Sequence, residues 1–91
     1  MKFENSVAII TGGASGLGEA TVRKFHLKGC KVCIFDKDTN KGNNLARELG
    51  KDVIFCPVDV CDPVSTKEGI KKVIKTFGKV AINVNCAGIA I

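Results

Sequence analysis

Four short apolar runs, Ser6–Thr11, Lys31–Asp36, Val53–Val58 and Val80–Asn85, recur along the sequence, and a stretch of helical character follows each of the first three. The runs are rich in Val and Ile and are apolar at successive rather than alternate positions, the pattern of strands buried on both faces. Helices are predicted over Gly16–Lys28, about Thr39–Leu49 and about Pro63–Phe77, and each stops at a glycine suited to a left-handed C-cap, Gly29, Gly50 and Gly78. Strand and helix in alternation, joined by right-handed crossovers, make a parallel sheet with helices on both faces. The expected fold is therefore α/β, a partial doubly wound parallel sheet of strand order 3-2-1-4 with three helices. Ligands of such sheets sit at the carboxyl ends of the strands, where the order reverses.

With 91 residues, 45% of them hydrophobic, the chain has room for one small domain and no second one. The third helix has the clearest period, with Ile70, Val73, Ile74 and Phe77 expected on one buried face. Lys67, Lys71 and Lys75, with Lys72 and Lys79 nearby, fall on the other side; without interleaved aromatics they read as a solvated face rather than a nucleic-acid patch. The second helix is weaker, because Gly42, Asn43 and Asn44 interrupt it; Asp38 is its expected N-cap. A net charge of +5 attracts anions weakly and names no partner. The apolar runs are far short of the ~20 residues that span a bilayer, so no membrane partner is expected. Met1–Asn5 shows no export signal, and secretion is not expected. Five cysteines, irregularly spaced, read as thiols; Cys30 and Cys33 bracket a strand and point to opposite faces, and with His26 as the lone histidine no metal site is expected.

Between the first strand and first helix the sequence reads Gly12-Gly13-Ala14-Ser15-Gly16-Leu17-Gly18. Gly12 permits a sharp turn, Gly16 lets backbone approach an anion with no Cβ in the way, and Gly18 lets the helix pack close to the strand. The helix N-terminus then offers unpaired N–H groups to a pyrophosphate. Asp36 ends the second strand at close to the ~20-residue spacing of a ribose-binding acid. Its carboxylate welcomes the ribose 2′-hydroxyl of NAD and repels the 2′-phosphate of NADP, so NAD is the expected cofactor; Lys37, a neighbouring cation, is the dissenting residue.

The loop Thr11-Gly12-x-x-x-Gly16-x-Gly18, Asp36, the pair Asp59-Val60 and the stretch Asn85-Cys86-Ala87-Gly88 together resemble the classical short-chain dehydrogenase/reductase family, over nearly the whole chain. Ile9–Gly18 and Asn85–Ala90, with Cys86 in place of the more usual second Asn, are most similar to its 3-hydroxyacyl-CoA dehydrogenase subgroup. The resemblance implies an NAD-binding Rossmann half-domain over residues 1–91, truncated after the fourth strand. It implies that Ser15 and Leu17 contact ribose and pyrophosphate, that Asp36 holds the adenosine ribose, and that Asp59 and Val60 meet the adenine. Cys86, Ala87 and Gly88 would line the cofactor, and Asn85 would mainly brace the sheet. Read without the resemblance, Asp59 is equally a turn-forming acid ahead of Cys61, Asp62 and Pro63.

Two positions depart from the family pattern: Ala81 stands where relatives usually have Asp, and Asn83 places an amide in a strand expected to be apolar, at a cost of ~1–3 kcal/mol if buried unpaired. Family members transfer protons with a Ser, a Tyr and a Lys in their second half, whereas this sequence holds no tyrosine, so no catalytic residue is assigned within it. The resemblance thus implies the amino-terminal part of an NAD-dependent oxidoreductase acting on a secondary alcohol or ketone, such as a 3-hydroxyacyl-CoA or hydroxysteroid. Only the full-length parent would bind substrate and form a homo-oligomer. The alternative is a non-catalytic nucleotide-binding or interaction module. Mitochondrial residence is implied by the subgroup, with the cytoplasm as the alternative.

Overall fold

The computed structural model describes residues 3–14, 16–79 and 82–86. Strands β1 (Val7–Thr11), β2 (Lys31–Asp36), β3 (Val53–Pro57) and β4 (Ile82–Asn85) alternate with helices α1 (Gly16–Leu27), α2 (Thr39–Leu49) and α3 (Pro63–Phe77). The strands pair in parallel in the order β3-β2-β1-β4, as the sequence pattern predicts. Ser6, Lys28 and Val58 fall just outside the elements expected to hold them, and Val80 and Ala81 of the fourth run lie outside the described residues.

Successive apolar residues in the strands supply two cores, one on each side of the sheet. Ala8, Ile10, Val32, Ile34, Val53 and Phe55 face α1 and α2, together with Val22, Leu45 and Cys30. Val7, Ile9, Cys33, Phe35, Cys56 and Val58 face the other way, against Val73 of α3. Each fully buried Val, Ile or Phe contributes about 1.5–3 kcal/mol of transfer free energy, which is what fixes the strand register. Cys30 and Cys33 accordingly lie in opposite cores, as their spacing requires.

Helix boundaries follow local chemistry. Asp38 caps α2 by accepting from the Lys41 N–H at 3.0 Å, and Asp62 caps α3 by accepting from the Val64 N–H at 3.0 Å. Gly78 ends α3 in the left-handed conformation, its N–H donating to the Ile74 carbonyl at 2.7 Å. Gly50 differs from expectation: φ is 98° but ψ is −155°, because the chain swings directly into a turn in which the Val53 N–H donates to the Gly50 carbonyl at 3.1 Å.

Two packing expectations need correction. Ile74 is 49% exposed, since the buried stripe of α3 is centred on Gly69 and Val73 and leaves Ile74 on the flank. Asn83 is exposed rather than buried, and the feared desolvation cost does not arise. Helix α3 packs on β2 and β3, so the Asn83 side of β4 is open, while Ile82 and Val84 pack into the opposite core. Among the described residues no helix is long and apolar enough to cross a membrane.

Candidate nucleotide site

Backbone hydrogen bonds assemble the carboxyl ends of the strands into one locus. The Gly12 N–H donates to the Phe35 carbonyl at 2.7 Å, carrying the glycine turn across to the end of β2. Gly12 itself has φ 69°, the sharp turn the sequence requires. A Cβ placed on Gly18 would lie 1.8 Å from the Gly12 carbonyl oxygen, so only glycine lets α1 start this close to the turn. Gly16 has φ 57°, and a Cβ there would meet nothing within 4 Å: its outer side is open space. Leu17 is 73% exposed beside it. Ser15 lies outside the described residues.

Asp36 is tied into this loop. Its Oδ2 accepts from the Ala14 N–H at 3.0 Å and its Oδ1 from the Asp38 N–H at 2.9 Å. A carboxylate has about four acceptor positions, so two backbone bonds leave it capacity for hydroxyl donors. The Asp36 carbonyl accepts from the Val58 N–H at 3.0 Å, which brings Asp59 and Val60 alongside. Asp59 Oδ1 accepts from the Cys61 N–H at 3.0 Å, and the Asp59 N–H donates to Ser65 Oγ at 2.9 Å. The turn-forming reading of Asp59 therefore holds in the structure, with Val60 partly exposed next to it.

On the other side of the loop, the Cys86 N–H donates to the Thr11 carbonyl at 2.9 Å, and Cys86 Sγ lies 3.8 Å from Thr21 Oγ1 on α1. The Thr11 hydroxyl donates to Asn85 Oδ1 at 2.8 Å, which agrees with a bracing role for Asn85. Ala87 and Gly88 lie outside the described residues. Gly12, Gly16, Leu17, Gly18, Asp36, Asp59, Val60 and Cys86 are thus gathered at the switch between β1 and β4 and along the ends of β2 and β3.

This arrangement is matched by a family model described as short chain dehydrogenase over residues 6–91. The chain belongs to the short-chain dehydrogenase family. It is 41% identical over 88 residues to 3-hydroxyacyl-CoA dehydrogenase type-2 of Drosophila melanogaster, covering 97% of this chain and 34% of that one. Among solved structures it resembles 3-hydroxyacyl-CoA dehydrogenase type-2 from Mycobacterium avium, with TM-score 0.87 and 37% identity over 97% of this chain and 35% of that one. A 3-ketoacyl-(acyl-carrier-protein) reductase from Brucella melitensis complexed with NADH gives TM-score 0.87 and 32% identity, over 89% of this chain and 34% of that one. The chain thus spans about a third of the length of the relatives it matches.

Sequence reasoning missed a feature that this short-chain dehydrogenase chain builds beside the loop. Ala14 and Gly16, Glu19 and Arg23 of α1, and Lys41 and Glu48 of α2 line a cavity of about 350 Å³. Arg23 forks onto Glu48 at 2.6 and 3.0 Å and reaches back to Glu19 at 3.0 Å. The hydrogen bond from Arg23 holds the Glu48 carboxyl below its usual range. Glu19 and Arg23 stand four apart on one helix face and were findable from spacing; Glu48 was not, because its place depends on how α2 packs. The mixed charge makes this cavity a helix-to-helix clamp rather than a phosphate trap.

Proposed function

We propose that this chain is the dinucleotide-binding part of an NAD-dependent short-chain oxidoreductase acting on a secondary alcohol or ketone, of the 3-hydroxyacyl-CoA or hydroxysteroid class. The observation that carries the reading is the Asp36 carboxylate, fixed at the rim of the glycine loop by the Ala14 N–H. The residues present fit the cofactor: the side of Gly16 is open where a diphosphate would approach, and the N-terminus of α1 lies there. Asp36 would accept the ribose hydroxyls of the adenosine, and the loop N–H groups would hold the diphosphate. Ser15 and Leu17 would flank it; Asp59 and Val60 would meet the adenine; Cys86, Ala87 and Gly88 would line the path toward the nicotinamide. When bound, the nicotinamide supplies hydride exchange with the substrate carbinol carbon. Proton transfer by a tyrosine would have to come from outside these 91 residues, which contain none.

Calorimetric titration with NAD checks the reading, with saturable one-to-one binding as the expected result and no saturable heat as the result that defeats it. Asp36→Ala is expected to shift the NADP-to-NAD preference upward by roughly 10- to 100-fold, the worth of one or two charge-assisted hydrogen bonds. An unchanged preference would remove Asp36 as the selector.

A further inference from the structure

Beneath the middle of β2, on the face away from the glycine loop's helix, two cysteines meet. Cys33 of β2 stands opposite Ile54 and Cys56 of β3 stands opposite Phe35, so the two thiols are diagonal neighbours on one face. Their Sγ atoms are 3.1 Å apart, sharing one hydrogen bond. Cys33 is 0% and Cys56 2% exposed, both roofed by α3. From that helix Lys72 reaches across, its Nζ donating to the Phe55 carbonyl at 3.2 Å, one residue from Cys56.

The pair has the chemistry of an activated dithiol. Either thiol can donate the shared bond; with Cys33 as donor it favours the Cys56 thiolate, and the Lys72 charge adds to this against the effect of burial, so Cys56 is held below the ordinary thiol range. Cys33, as the donor and as a buried thiol, is held far above it. One sulfur is thus primed as nucleophile and the other stays protonated beside it, the division of labour between attacking and resolving thiols.

We propose that Cys33 and Cys56 are a redox modification site, closing to a reversible disulfide that staples β2 to β3 when the chain meets a peroxide. The Cys56 thiolate attacks one peroxide oxygen, the O–O bond breaks, and the departing oxygen takes a proton to leave as water. Cys33 sulfur then attacks the resulting Cys56 sulfenic acid; the S–S bond forms, the S–O bond breaks, and a second water leaves with the Cys33 proton. The two sulfurs together lose two electrons, and the peroxide gains them. Closure needs the sulfurs only about 1 Å nearer than they stand. Diagonal positions on neighbouring strands are not the usual geometry of a disulfide, so closure also draws the two backbones together and leaves the bond strained and readily reduced by small thiols. Both thiols are buried beneath α3, so the reaction requires a local opening of that helix from the sheet, where Gly69 and Val73 are its buried residues.

The experiment is peroxide treatment of the native chain, with intact-mass and tryptic peptide mapping before and after dithiothreitol. The expected product has lost two hydrogens and carries Val32–Lys37 linked to Asp52–Lys67, restored to free thiols by the reductant. Because Asp52–Lys67 also holds Cys61, the mapping is repeated in Cys61→Ser, where the same link is expected to persist. Lys72→Met is expected to slow the reaction several-fold at neutral pH. A link that vanishes in Cys61→Ser, a product in which Cys56 reaches sulfinic acid with Cys33 still a thiol, or the same scrambled pairing in native and urea-unfolded chain would each overturn the proposal.

Discussion

Single side chains decide more here than their number suggests. Asp36 has one oxygen on the loop and the other on the Asp38 N–H, so it is at once the clasp of the glycine turn and the group best placed to meet a ribose. Only the second role was legible in the sequence, because the first depends on where a backbone N–H 22 residues earlier in the chain comes to rest. Glu48 offers a test confined to one residue. Its folded-state carboxyl titrates below the ordinary Glu value of ~4.3, so the clamp with Arg23 adds stability above that value and loses it as pH falls through the depressed one. Thermal unfolding followed from pH 6 downward is expected to converge for the native chain and Glu48→Gln as the clamp is protonated, with the gap at pH 6 shrinking in high salt. A gap that widens on acidification would show that Glu48 stabilises the protonated form instead.

At the scale of elements, the sequence rules worked wherever one local signal was enough. The bounds of β2, α2 and α3 coincide with those predicted, because doubly buried runs, an Asx N-cap and a terminal glycine each act within a few residues. They failed where packing across the sheet decides: Asn83 is exposed although α3 packs on the same side of β2 and β3, and Cys33 meets Cys56 because of strand register. Gly42 is a third case. As a glycine inside α2 it reads as a weak point, yet a Cβ there would sit 2.1 Å from the Phe55 ring, so its smallness is what lets α2 lie on β3. Gly42→Ala gains ~1 kcal/mol of helix propensity but incurs overpacking of about 1–3 kcal/mol or more, and at this separation the clash wins. Its neighbour Asn43 is exposed, so Asn43→Ala is expected to stabilise by roughly 0.5 kcal/mol on propensity alone. Urea denaturation of the two variants is thus expected to move in opposite directions, and a stabilised Gly42→Ala would mean that the ring yields freely.

For the molecule as a whole, the question is how a chain spanning a third of its relatives' length would respond to its proposed ligand. Among the described residues the two cores are unequal: one is covered by α1 and α2, the other by α3, and Asn83 of β4 is exposed. The glycine loop, Asp36, Val60 and Cys86 are contributed by the ends of four different strands, so a ligand that touches them all binds the folded sheet and not the unfolded chain. Such binding stabilises by mass action, about 2.7 kcal/mol at a hundred times the dissociation constant. For a chain of this size each kcal/mol raises Tm by roughly 4–8 °C, so saturating NAD is expected to raise it by about 10–20 °C. The same measurement on Asp36→Ala separates ligand linkage from the general effect of an anion: the NAD-dependent rise should shrink, whereas any rise produced by pyrophosphate alone, held by the loop and the start of α1, should persist. Equal loss of both responses would mean that Asp36 acts only by holding the loop in shape, through its bond to the Ala14 N–H, and the ribose would then need another partner.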